Sequence, residues 1–107
     1  MATAPKSEVL TMAELAAYQD GSVVSRQITK ADTGNVTLFA FDSGQELSEH
    51  TAPFDALVHV LDGEAEIVIS GRSYALAAGE AIIMPANEPH AVKARSRFKM
   101  LLTMIRA

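Results

Sequence analysis

From Ser22 onward the apolar positions fall into short runs, several alternating with polar residues, and turn-forming residues separate the runs. The runs are SVVSRQI, NVTLFAF, ALVHVL, EAEIVI, RSYAL, EAIIMP, HAVKA and RFKMLLTMI. Runs of this length, rich in branched and aromatic residues, predict β-strands. Asp62-Gly63 and Ser70-Gly71 sit closely enough between runs to predict hairpin turns, while Thr33-Gly34-Asn35 and Ala78-Gly79 predict other reversals. Eight or so strands without intervening helices predict an all-β barrel or sandwich.

Upstream the pattern differs. In TMAELAAYQDG, Thr11 and Glu14 have the spacing of a capping box, Leu15 and Tyr18 share one helical face, and Gly21 is a natural stop. A helix of about two turns is expected. Residues 1–7, small and polar around Pro5, are expected to fray or to form an arm. The chain therefore divides into an N-terminal arm and short helix over 1–21 and a barrel domain over 22–107.

Successive strand side chains point to opposite faces, so parity sorts the runs. Ala65, Ile67 and Ile69 should face inward, leaving Glu64 and Glu66 in water. ALVHVL is apolar on both faces: Ala56, Val58 and Val60 lie on one, and Leu57 and Leu61 flank His59 on the other. FKMLLTMI behaves alike, with Phe98, Met100, Leu102 and Met104 opposite Leu101 and Ile105. Strands of this kind must be covered twice. The second cover is the N-terminal helix or another copy of the chain, so a homodimer is expected. Lys93, Arg95, Arg97 and Lys99 alternate, which predicts the solvent face of one strand opposite acids such as Glu64 and Glu66.

Composition narrows the chemistry. At 107 residues, 49% of them hydrophobic, the chain has room for one core. It contains no cysteine, which excludes disulfides, thiolate metal sites and cysteine nucleophiles. A net charge of −4 argues against nucleic acid as a partner. No run approaches a membrane span, and the N-terminus lacks the pattern of a secretory signal, so a cytoplasmic location without membrane contact is expected.

Two spaced segments remain. One is Gly44, His50 and Gly63; the other is GEAIIMPANEPH, with Gly79, Pro85 and His90. At these positions the chain resembles the cupin superfamily, in particular its small single-domain members, whose motifs read G-x5-H-x-H-x3-E-x6-G and G-x5-P-x-G-x2-H-x3-N. The resemblance runs from about Val36 to the end of the chain. It implies a double-stranded β-helix, a jelly-roll barrel with its site in the mouth or interior.

The departures from the motifs are chemically specific. The second motif histidine falls on Ala52 and the glutamate on Ala56, so two of the four family metal ligands are methyl groups. Asn87 replaces a glycine, a tolerable change because asparagine also visits left-handed backbone conformations, and Ala94 replaces the final asparagine. His50 and His90 alone make an incomplete metal site; no cofactor is firmly implied, and a weakly bound divalent metal is the most that these two residues would hold. His59, Asp55, Glu49, Glu88 or a methionine are the remaining possible donors. Parity turns His59 outward, unless a bulge at Pro53 resets the count.

Alanine at two ligand positions opens space and removes charge. The expected function is therefore binding of a small molecule inside the barrel, with His50, His90, Val58, Val60, Phe98 and Met100 as the ligand-binding residues. The alternative is an enzyme of isomerase, dioxygenase or lyase type, either metal-dependent or using a histidine as general base. A third reading is an interaction module whose dimer surface is its function.

Overall fold

The computed structural model describes residues 3–106. Nine strands carry the fold of these residues: β1 (Val23–Ala31), β2 (Gly34–Phe41), β3 (Glu46–His50), β4 (Phe54–Asp62), β5 (Glu64–Ile69), β6 (Arg72–Ala77), β7 (Ala81–Met84), β8 (His90–Lys93) and β9 (Phe98–Arg106). They form two antiparallel sheets, ordered β1-β2-β9-β4-β7 and β3-β8-β5-β6. Among the described residues no helix is long and apolar enough to cross a membrane.

Parity and burial agree. Val58, Val60, Phe98, Met100 and Ile67 are fully buried, with Ala56 and Ala65 nearly so, and both sheets contribute to this core. Phe41 and Phe98, cross-strand partners on β2 and β9, stack with ring centroids 4.5 Å apart. Burying each such ring contributes about 1.5–3 kcal/mol.

The chain changes sheets at its corners. Ser70 and Gly71 both have positive φ, and they close a true hairpin between β5 and β6. The Asp62-Gly63 turn is not a hairpin. β4 pairs with β7 and β9 while β5 pairs with β6 and β8, so Gly63 marks a crossing from one sheet to the other. Its φ is +72°, and a Cβ there would run into the backbone carbonyl of Arg97. Glycine is thus required twice over.

Three further expectations change on the structure. The N-terminal helix contracts to a single 3-10 turn at Met12–Glu14, and Thr11 makes no side-chain cap. With no reciprocal capping bonds, burial of Leu10, Met12, Leu15, Ala16 and Tyr18 against the outer face of the five-stranded sheet shapes this segment instead. Second, the arm is anchored as far as Ala4, which is buried and donates its N–H to the Ile28 carbonyl at 2.9 Å. The part of that expectation concerning residues 1 and 2 lies outside the described residues. Third, the basic stripe is not one strand face. Lys93 ends β8, Arg95 and Arg97 lie in the following turn, and Lys99 is in β9. Arg95 pairs with Glu66 at 2.7 Å, and Arg97 bridges Asp42 and Asp20 at 2.8 and 2.6 Å.

The N-terminal segment supplies only part of the second cover. It reaches Leu61 and Leu101. Leu57, Ile83 and Ile105 stay exposed.

Candidate functional site

β3 is a strand that the hydrophobic pattern does not reveal. Its sequence is ELSEH, and apart from half-buried Leu47 every residue is exposed. It nevertheless carries His50. Leu47 faces inward opposite Val92 of β8, so strict alternation would turn His50, three residues on, toward solvent. The register shifts between Leu47 and His50, a bulge in β3 that brings both side chains into one cavity. His50 then stands directly opposite His90, the first residue of β8.

The loop before His90 is held by the chain it faces. Asn87 adopts φ +64°, the left-handed conformation that the motif glycine would supply, and its N–H donates to the Ala52 carbonyl at 2.8 Å. The Ala86 N–H donates to Asp55 Oδ1, and the Ser70 hydroxyl donates to Glu88 Oε1, at 2.9 Å each. Asp55 and Glu88 are thereby engaged in fixing the loop. Glu49 is exposed, and His59 lies in β4 between the buried Val58 and Val60, on the opposite face.

The two imidazoles meet edge to face, with Nε2 atoms 3.2 Å apart. His50 Nδ1 lies 2.7 Å from the Ser48 carbonyl and His90 Nδ1 lies 3.2 Å from the Glu88 carbonyl. A carbonyl only accepts, so each Nδ1 must carry the proton if these contacts are hydrogen bonds. Both Nε2 atoms are then bare lone pairs pointed at each other. Three contacts in this chain need three protons, and two neutral rings own two. The pair is satisfied only when a third proton or another electrophile joins the middle contact. A proton on His90 is disfavoured: burial lowers its pKa most, the neighbouring His50 lowers it further, and the Glu88 carbonyl opposes both.

Around the pair lies a cavity of about 40 Å³, lined by Leu47, Ala52, Ala56, Met84, Val92, Met100, Leu102 and Met104 as well as both histidines. That is room for a water or a single ion. His50 is exposed at its mouth and His90 is buried. Of the apolar residues expected to bind a ligand, Met100 lines this cavity. Val58, Val60 and Phe98 do not; they have no exposed surface and fill the barrel's core. Met104 lies on the inward face that alternation predicts for its strand, whereas Met84 joins the site through its register with Ala56, which the chain's periodicity does not carry.

The four-ligand metal site of the resembling family can be tested against these residues. Hard divalent ions in such pockets take three or four nitrogen or oxygen donors. Here Ala52 and Ala56 supply none, and among the described residues no three His, Cys, Asp or Glu side chains are grouped to hold a metal. The residues present do not fit that site.

Comparison with known proteins agrees with the fold. No curated protein matches the sequence. A conserved protein of unknown function from Streptococcus pyogenes is similar over 100% of this chain and 96% of its own, with 34% identity and a TM-score of 0.91. A cupin superfamily protein from Desulfitobacterium hafniense is 28% identical with a TM-score of 0.91, over 99% of this chain and 97% of its own. A cupin 2 conserved barrel domain protein from Leptotrichia buccalis is 39% identical with a TM-score of 0.88, covering 91% of this chain but only 47% of that longer one. The family model described as the cupin domain matches residues 37–106, from β2 through the last strand. With its two motif histidines facing each other inside a double-stranded β-helix, the chain belongs to the cupin family.

Proposed function

We propose that this protein binds a small ligand at the barrel mouth through the His50–His90 pair, in place of the family's four-ligand metal centre. The observation that carries the reading is the run of three contacts: Nε2 atoms 3.2 Å apart, with each Nδ1 within hydrogen-bond distance of a backbone carbonyl, an arrangement that two neutral rings satisfy only in part. Such a pair accepts an electrophile, either an acidic hydrogen of a small molecule or a cation. The cavity of about 40 Å³ is far below the ~300 Å³ from which ordinary ligand pockets start. An organic ligand therefore inserts only its donor group, with its body against Leu47, Ala52 and Met104 at the mouth.

Binding is favoured over catalysis by what holds the rings. Both are oriented by backbone carbonyls, with no carboxylate behind either to stabilise an imidazolium during turnover. The same reading assigns the exposed Leu57, Ile83 and Ile105 face to contact with a second copy of the chain.

Thermal unfolding of untagged protein against small weak acids and alcohols tests the proposal, with His50→Ala as control. A ligand at a hundred times its Kd adds about 2.7 kcal/mol to the parent and nothing to the variant. Stabilisation that persists in His50→Ala, or that no compound produces, refutes it.

A further inference from the structure

We infer that the cavity is a site for a soft monovalent cation, Cu(I), held by His50 Nε2, His90 Nε2 and a methionine thioether. The inference deepens the reading of the histidine pair as the binding site and rests on it. Its independent support is the strand register. Ala56, where the family motif has glutamate, pairs with Met84 of β7 on one side and with Met104 of β9 on the other. Cross-strand neighbours on one face have Cβ atoms about 4.5–5.5 Å apart. The position that lost its carboxylate is thus flanked by two thioethers. With Met100, three of the chain's five methionines line the same small cavity as both imidazoles.

The chemistry of this donor set selects the ion. Neutral imidazole and thioether are softer than carboxylate, and thioether sulfur in particular selects Cu(I) over hard divalent metals. Charge points the same way. No carboxylate lines the cavity, so an ion there must shed water without an anionic partner, a cost that is smaller for one positive charge than for two. The space suits an ion as well: at ordinary metal–nitrogen distances of about 2.0–2.1 Å, nitrogens 3.2 Å apart share one ion at an angle of about 100°.

The test is an anaerobic titration of untagged protein with Cu(I), in competition with a chromophoric Cu(I) chelator, alongside the same protein titrated with Zn(II). The expected result is one Cu(I) per chain, bound at least 100-fold more tightly than Zn(II). His50→Ala should abolish it, and Met84→Leu/Met104→Leu should weaken Cu(I) at least tenfold while leaving Zn(II) within twofold. Copper-edge X-ray absorption on selenomethionine protein gives a readout free of any folding defect, since selenium should appear as a direct neighbour of the metal. Zn(II) binding as tight as Cu(I), an absent selenium neighbour, or Cu(I) binding indifferent to His50 overturns the inference. If Cu(I) does not bind while weak acids still stabilise the protein through His50, the copper assignment falls and the ligand-binding reading stands. If neither depends on His50, both fall.

Discussion

Placing a carboxylate at the family's glutamate position with Ala56→Glu probes the apolar character of the site's inner wall directly. Ala56 is 3% exposed, between Met84 at 2% and half-buried Met104, beside a cavity of about 40 Å³. The added side chain overfills this space at a cost of about 1–3 kcal/mol. Its charge adds a second cost. Holding the carboxyl neutral at pH 7 against an ordinary pKa of about 4.3 takes up to about 3.7 kcal/mol, at 1.36 kcal/mol per pKa unit. Together these come to about 1–7 kcal/mol, and the middle of that range, about 4 kcal/mol, is roughly 15–30 °C in Tm for a domain of this size.

The pH dependence follows from the sign of the shift. Burial raises the folded-state pKa of the new carboxyl above its unfolded value. The ionisation penalty is therefore absent below about pH 4.3 and grows as pH rises toward the folded pKa. Thermal unfolding of parent and variant at pH 4 and pH 8 should show a gap that widens at the higher pH. Adding Ala52→His completes four donors, and a divalent metal at a thousand times its Kd should then restore about 4.1 kcal/mol. A single variant that melts within a few degrees of the parent at pH 8 would mean that the carboxylate reaches water. The account of an apolar, thioether-flanked inner wall would then be wrong.

Other consequences are separately measurable. His90 has a folded-state pKa below its ordinary 6.5, so the unfolded chain binds more protons just below that pH. Stability should hold above about pH 6.5 and fall as pH drops from there through the folded pKa; His90→Gln should flatten that slope in urea unfolding. Gly63→Ala forces a side chain into a left-handed conformation and against the Arg97 carbonyl. Strain of about 1–2 kcal/mol and overpacking of about 1–3 kcal/mol predict a loss of roughly 2–5 kcal/mol by denaturant titration. On the proposed dimer, Ile83→Asp should bring the mass seen by light scattering down to that of one chain; an unchanged mass would remove that face as a subunit contact.

Much of the barrel was legible because alternation is a local property. The inward sets Ala56/Val58/Val60, Ala65/Ile67/Ile69 and Phe98/Met100/Leu102 could be read from period two alone, and burial matches them. Asn87 at a glycine position could be anticipated as left-handed, and its φ of +64° agrees. β3 was not legible, because an edge strand half-buried at one residue of five has no apolar signature. The N-terminal capping pattern was legible but misleading, since burial against the sheet outweighs a weak local helix preference.

The sequence by itself determined the strand faces, the alanines at positions 52 and 56, and the histidines at positions 50 and 90. Only the tertiary structure decided that β4 and β5 part into different sheets, that a bulge turns His50 inward, and that Met84 and Met104 flank Ala56. The physical reason is range. A side chain's face is set by its own strand's pleat, whereas register, bulges and the opposition of two imidazoles forty residues apart are set by hydrogen bonding between distant segments.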